Sequence, residues 1–321
     1  MSDRFTRRSL LSIAGALAAA ASFAQPAKGP IKLVIPFPPG ASPDALGRLF
    51  ADKLSAELGQ PVIVDNRPGA SGTMGAAVVA KAPPDGQTVL LTISLLVTGP
   101  LLMAKPPYDV RKDFKAVAFM GEGSSPLVVS PAVPAKNLRE FIAYVKSKGG
   151  RIPYGSWGIG SSGHLLGLLL AQQTGLTLTH VPYKGVSPLI TDLLGDHINV
   201  GFVDLASAIA QEPKGLKILA MGGPVRNPAA PAVQTFSELG YESMDRSGWM
   251  GFFMPAGTPD TAVNRFHAAV TRVAQRPEME AELNRLGYMT TKRSMPDFER
   301  LVHSDITFYP KVYQEFGIKG E

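Results

Sequence analysis

Cysteine is absent from all 321 residues, which excludes disulfides, thiol nucleophiles and every Cys-based metal site. Tryptophan is scarce, with only Trp157 and Trp249. Charged residues make up 18% of the chain and its cations are scattered, so there is no basic stripe of the kind that binds nucleic acid. The histidines at 164, 180, 197, 267 and 303 show no His-Glu-x-x-His or comparable ligand spacing, and no metal or cofactor is expected. A Gly-x-Ser-x-Gly elbow is also missing, because Tyr154 and Ile159 stand where its first glycine is needed. What remains is an ordinary globular composition, 45% hydrophobic, with a mild formal charge of +6 that suits anionic solutes.

The N-terminus reads as an export signal. Arg4, Arg7 and Arg8 precede the uncharged run 10–21, which is too short to span a bilayer, and Ser22-Phe23-Ala24 supplies a small-x-small cleavage pattern. Residues 1–24 are therefore expected to be removed between Ala24 and Gln25, leaving a periplasmic chain with a net charge of +4. Thr6-Arg7-Arg8-Ser9-Leu10-Leu11 also resembles a twin-arginine signal, so both export routes stay open.

Along the rest of the chain, short apolar runs alternate with Gly/Ser/Pro loops and helical patterns. Runs at 31–35, 61–64, 88–93 and 114–120 form a first series of strands. A second series follows at 127–129, 152–154, 178–182, 198–203 and 216–221. This rhythm predicts an α/β protein with two lobes, each a mostly parallel sheet flanked by helices. After Pro255-Ala256-Gly257-Thr258-Pro259 the tail is helical and shows almost no strand signal. Its apolar stripes, such as Val263, Phe266, Val270 and Val273, need a surface to cover. The first lobe is assigned that role, which makes it discontinuous: 25–124 plus 250–321, with the second lobe at 125–249.

Ligands of α/β sheets bind beyond the carboxyl ends of the strands, where loops enter helix N-termini. Loops 36–44, 67–73, 155–164 and 183–187 are rich in Gly, Ser and Pro, and helix N-termini bind carboxylates without cationic side chains. Gly40, Ala41 and Ser42, Ser71 and Gly72, Ser94, Ser156, Ser161 and Ser162 supply backbone and hydroxyl donors at these edges. Asp44 reads as a helix cap or a contact residue, and Asp204 as a solvated turn or a contact residue. Trp157, inside a Gly/Ser loop, has little core to join and reads as a ligand wall or a lobe contact. Trp249 reads as packing. Gly158-Ile159-Gly160-Ser161-Ser162-Gly163 matches a dinucleotide fingerprint, but the next strand ends His180-Val181-Pro182-Tyr183 without the required acid. A triad of Ser161 or Ser162 with His164 and Asp204 is the enzyme alternative, a secreted serine hydrolase. His164 reads first as a packing residue.

Several segments, in order, resemble the Bug receptors, the solute-binding components of tripartite tricarboxylate transporters. They include Ile35-Pro36-Phe37-Pro38-Pro39-Gly40-Ala41-Ser42-Pro43-Asp44, Asn66-Arg67-Pro68-Gly69-Ala70-Ser71-Gly72 and His180-Val181-Pro182-Tyr183-Lys184-Gly185. Phe202-Val203-Asp204 and the Pro255 turn extend the likeness. The resemblance implies a monomeric Venus-flytrap receptor, not an enzyme. Its lobes would close on a small carboxylate through Phe37, Ala41, Ser42, Asp44, Ser71, Gly72, Ser156, Ser161, Ser162, Tyr183 and Asp204, for delivery to a membrane permease. An orphan sensor or scavenger without a permease is the alternative. Three departures bear on the ligand: Leu95 and Gly99 stand where polar residues are usual, and Trp157 where a small residue is common.

Overall fold

The computed structural model describes residues 29–241, 244–289 and 293–318, so the signal segment and its Ala24–Gln25 cleavage site lie outside the described residues. Two sheets organise the chain. The first contains β1 (Ile31–Ile35), β2 (Val62–Asn66), β3 (Thr88–Ile93), β4 (Phe114–Gly123), β10 (Gly248–Pro255) and β11 (Tyr288–Met289), in the order β11-β4-β10-β3-β1-β2. The second contains β5 (Ser125–Val129), β6 (Arg151–Ser156), β7 (Thr177–Pro182), β8 (Val200–Phe202) and β9 (Lys217–Gly222), in the order β7-β6-β8-β5-β9. The chain leaves the first sheet through Ser124 and re-enters it at Gly248.

Each sheet is covered on both faces, and the alternation of side chains shows how. Leu33, Ile35, Leu91 and Phe252 pack with Leu46, Phe50 and Leu54 of helix Ser42–Leu58 and with Phe266 and Val270 of helix Asp260–Ala274. Their sequence neighbours Val34, Leu90 and Phe253 point to the opposite face and meet Val79, Phe298 and Val302. In the second sheet, Leu127 and Val129 pack with Phe141, Leu166 and Leu170, while Val128 faces Leu189 and Leu193. Burying each large side chain stabilises the fold by about 1.5–3 kcal/mol. The C-terminal apolar stripes pack against the first sheet.

Most strands of each sheet run the same way, and the sheets are mixed because a few strands reverse. β1 pairs with β2 and β3 in parallel, and β6 pairs with β7 and β8 in parallel. The strands next to the crossovers reverse direction: β10 is antiparallel to β3 and β4, and β5 is antiparallel to β8 and β9. A strand that enters a sheet from the other lobe comes from the opposite edge and so runs against its neighbours. The two-residue β11, antiparallel to β4, went unread in the tail because it is too short to show a period.

Buried charges tie the return crossover to the C-terminal helix Met295–Glu315. Asp305, 2% exposed, accepts hydrogen bonds from Trp249 Nε1 at 2.7 Å and Arg246 Nη1 at 2.9 Å. Burial holds its carboxyl up at about 6, against the pull of Trp249 and Arg246. Glu122, also buried, accepts from Ser247 Oγ at 3.1 Å and pairs with Arg293. Trp249 is thus the packing residue its position suggested.

Candidate functional site

Helix Ser42–Leu58 begins without a side-chain cap on Ala41, and Pro43 in its first turn has no amide hydrogen to leave unpaired. Asp44 is not the cap. It is the third helical residue and reaches back, its Oδ2 accepting from Gly40 N–H at 2.8 Å and Arg48 Nε at 3.1 Å. Its Oδ1 accepts from Asn66 Nδ2 at 2.8 Å, and that amide also reaches Phe37 O at 3.1 Å. Burial alone would raise the Asp44 carboxyl, but Arg48, the Gly40 amide and Asn66 outweigh it and hold it below the usual range. Asp44 therefore spends both oxygens on pinning the first loop to β2. Ser42, half-buried at the helix start, makes no side-chain hydrogen bond among the described residues.

The second loop is strained where it meets helix Thr73–Ala80. Ala70 and Ser71 both adopt left-handed backbone, with φ of 45° and 54°. Two such non-glycine residues in succession are uncommon and costly, and strain of this kind collects at functional sites. Ser71 is exposed with no side-chain partner among the described residues, while Gly72 is buried against Pro36 and Phe37. Ser94 follows β3 and donates its backbone N–H to Trp249 O at 3.0 Å, and its hydroxyl has no hydrogen-bond partner among the described residues.

The second lobe presents helix Ser162–Thr174, capped by Ser161, whose Oγ accepts His164 N–H at 3.2 Å. The same hydroxyl lies 2.7 Å from Gly158 O and 3.1 Å from Ser156 Oγ, and Ser156 Oγ sits 2.7 Å from His180 Nε2. The His180 ring stacks on His164 at 3.9 Å, and His164 Nδ1 accepts Gly160 N–H at 3.1 Å. Burial, reinforced for His164 by its neighbour, holds these imidazoles down at about 3 for His164 and about 4 for His180. Ser156 and Ser161 are thus interior members of a closed network. The Ser161–His164–Asp204 triad is not assembled, because His164 Nδ1 serves the Gly160 amide and Asp204 serves Ser207 N–H at 2.9 Å. Asp204 is a helix cap, a role the sequence reading did not give it.

Tyr183 donates its hydroxyl to Asp192 at 2.7 Å, and burial together with that carboxylate pushes the phenol up to about 12. It shapes the second lobe instead of offering a free hydroxyl. Trp157 does have a core to join, against the sequence expectation: it is half-buried and packs on the second-lobe core, its Cζ3 2.9 Å from where a Cβ would stand on Gly163, with Phe202 Cβ 2.7 Å from the same point. Only glycine lets the ring lie on this first helical turn.

The two lobes come together around Gly248. Ser94 Oγ from the first lobe and Ser162 Oγ from the second each lie 3.6 Å from the point a Cβ would occupy there. Ser162 Oγ is also 3.0 Å from Ser125 Oγ on the outgoing strand β5. Ser125 and Gly248 are the residues that sequence reasoning missed. The small-residue run Gly123-Ser124-Ser125 marked the crossover but carried no sign of a hydroxyl contact. Ser42, Ser71 and Ser94 carry hydroxyls without partners among the described residues, and Ser162 shares its hydroxyl with Ser125. Asp44, Ser156, Ser161, Tyr183 and Asp204 each have hydrogen-bond partners within the fold. Among the described residues, no group of three metal-ligating side chains occurs and no helix is long and apolar enough to cross a membrane.

Comparison with known proteins agrees with this geometry. Residues 46–318 match the tripartite tricarboxylate transporter family receptor model. Protein BugT of Bordetella pertussis is 36% identical over 258 residues, covering 78% of this chain and 79% of that protein. Rpa4515 of R. palustris, solved with adipate, superposes with a TM-score of 0.82 at 29% identity, covering 92% of this chain and 99% of that one. MatC of Rhodopseudomonas palustris, solved with bound malate, gives 0.77 at 28% identity, covering 89% and 99%.

Proposed function

This chain belongs to the tripartite tricarboxylate transporter family receptors, and from that premise we propose that it is a periplasmic solute-binding protein. It captures a small carboxylate between its lobes, 25–124 with 250–321 and 125–249, and hands it to a membrane permease. The observation that carries the reading is the meeting of hydroxyls from both sides of the crossover, one of them, on Ser162, shared with Ser125. Ser94 and Ser162 close on Gly248 while Ser42 and Ser71 stay without partners among the described residues. Backbone N–H groups at helix starts add half-charges that favour an anion, and no bound metal is needed. That relatives have been solved with adipate and with malate supports the ligand class. The chain itself is expected to be exported and cut after Ala24.

A thermal-shift screen over carboxylates tests the binding role, because a ligand that binds only the folded state raises its midpoint. Stabilisation by at least one carboxylate, unchanged by chelator, is the expected result. A flat response across the panel defeats the reading, and loss of binding on chelation defeats its metal-free form. N-terminal sequencing of the exported chain should give Gln25.

A further inference from the structure

We propose that the ligand is a carboxylate with a planar apolar body, an aryl or arylalkyl monocarboxylate, and that Trp157 is the residue that selects it. The inference rests on the carboxylate-binding reading above and adds what the two sides of the site can and cannot offer.

The first lobe can satisfy one carboxylate. Ser42, Ser71 and Ser94 have hydroxyls without partners among the described residues, and two helix starts stand beside them. The second lobe has fewer open side-chain hydroxyls to add to its helix starts. Ser156 and Ser161 are bound into the histidine network, Tyr183 is bound to Asp192, and only Ser162 remains, shared with Ser125. Loops 36–44, 94–99 and 156–164 contain no Lys or Arg, and the cation of loop 183–187, Lys184, is exposed to solvent. Arg67 of the second loop is paired with Asp65 at 2.9 Å. On the second-lobe side Asp204 adds an acidic group at the start of its helix. A second carboxylate placed beside Trp157 would find the hydroxyl donors of Ser156, Ser161 and Tyr183 already engaged, and an unpaired buried charge is costly.

The second lobe does offer a surface. The Trp157 ring rests on Gly163, next to Ser162, and is still partly exposed. Across the junction Leu95, beside Ser94, is half-buried and apolar. A flat apolar body held by its carboxylate on the first lobe can stack on the indole, a contact that adds to the burial of its area. A compact, highly charged diacid gains nothing from either group.

Calorimetry with benzoate, phenylacetate, succinate and adipate on the wild type, Trp157→Ala and Trp157→Phe tests this. The wild type is expected to bind the aryl acids about five-fold or more tighter than the diacids. Trp157→Ala is expected to erase that preference by weakening the aryl acids alone, and Trp157→Phe to restore part of it. Quenching of Trp157 emission by the aryl acids, seen over the constant signal of buried Trp249, is the variant-free readout. Diacids that bind as tightly as the aryl acids, or a Trp157→Ala change that weakens both series alike, would overturn the inference and leave carboxylate binding intact. Failure of all four acids to bind counts against the inference as well. If the wider carboxylate panel is also silent, the proposed function falls with it.

Discussion

The loops of the first lobe and the long loop of the second are made of the same residues, Gly, Ser and Pro, yet they spend their hydrogen bonds differently. In the first lobe one carboxylate, Asp44, pins the loop from inside, and the serines at its edge are left open. In the second lobe Ser156, Ser161, His164 and His180 bind one another, and these four are closed to outside partners. Buried polar groups are stable when fully satisfied and costly when one partner is lost. The closed loop is therefore a rigid wall, and the open loops are the groups a ligand can complete. Composition alone does not distinguish these roles; the accounting of partners does.

The largest expected effect breaks the closed side with acid. Unfolded, both imidazoles take up a proton near the ordinary value of 6.5; folded, burial holds His164 at about 3 and His180 at about 4. Between those values the unfolded chain binds more protons, so stability is full above 6.5 and falls as pH drops toward the folded values. The loss is on the order of 2–4 kcal/mol at pH 4.5. Asp305 acts in the opposite sense: held up at about 6, it takes its proton in the folded chain first and offsets part of the loss through the same window. Urea midpoints at pH 7.5 and 4.5 measure the sum. Equal midpoints would mean that the histidines are not held neutral by the fold.

Breaking the pin on the open side is the next largest. Asp44→Ala leaves Gly40 N–H, Asn66 and Arg48 without their acceptor, and a loss of about 1–2 kcal/mol in stability is expected. Ligand affinity should fall with it, since Ser42 sits on the loop that Asp44 fixes. Unfolding and calorimetry on the same variant check this, and normal affinity on a destabilised protein would separate the loop from the site.

The comparison also marks what could be read from sequence. β1 and β3 and the Gly59 end of the first helix were legible because period and terminal glycine are local signals. The mixed pairing of β5 and β10 was not, since it follows from where the chain crosses between lobes. Candidate loops were legible by composition, but the division between Ser162 and Ser161, adjacent in sequence, was not. One faces Ser125 and Gly248, the other turns into the histidine network, and only the long-range geometry of the helix start decides which.

The smallest effects sharpen that division most, because they come from removing one hydroxyl from each side. Ser161→Ala removes a helix cap and a network member, so it should lower stability by about 1 kcal/mol and leave ligand affinity within about two-fold. Ser42→Ala removes a hydroxyl that has no partner among the described residues and places a better helix former in the first turn, so stability should hold or rise slightly. Affinity should fall by about five- to ten-fold, the scale of one hydrogen bond to a charged acceptor seen against the water that replaces it. The two sites share no partner, so the double variant should show both losses added together. Urea unfolding and calorimetry on the two single variants test the division, and the same measurements on the double variant test additivity. If Ser161→Ala weakens binding as much as Ser42→Ala does, the second-lobe loop is not closed. If Ser42→Ala changes nothing, the open hydroxyls of the first lobe are ordinary solvated surface and the carboxylate rests on backbone alone.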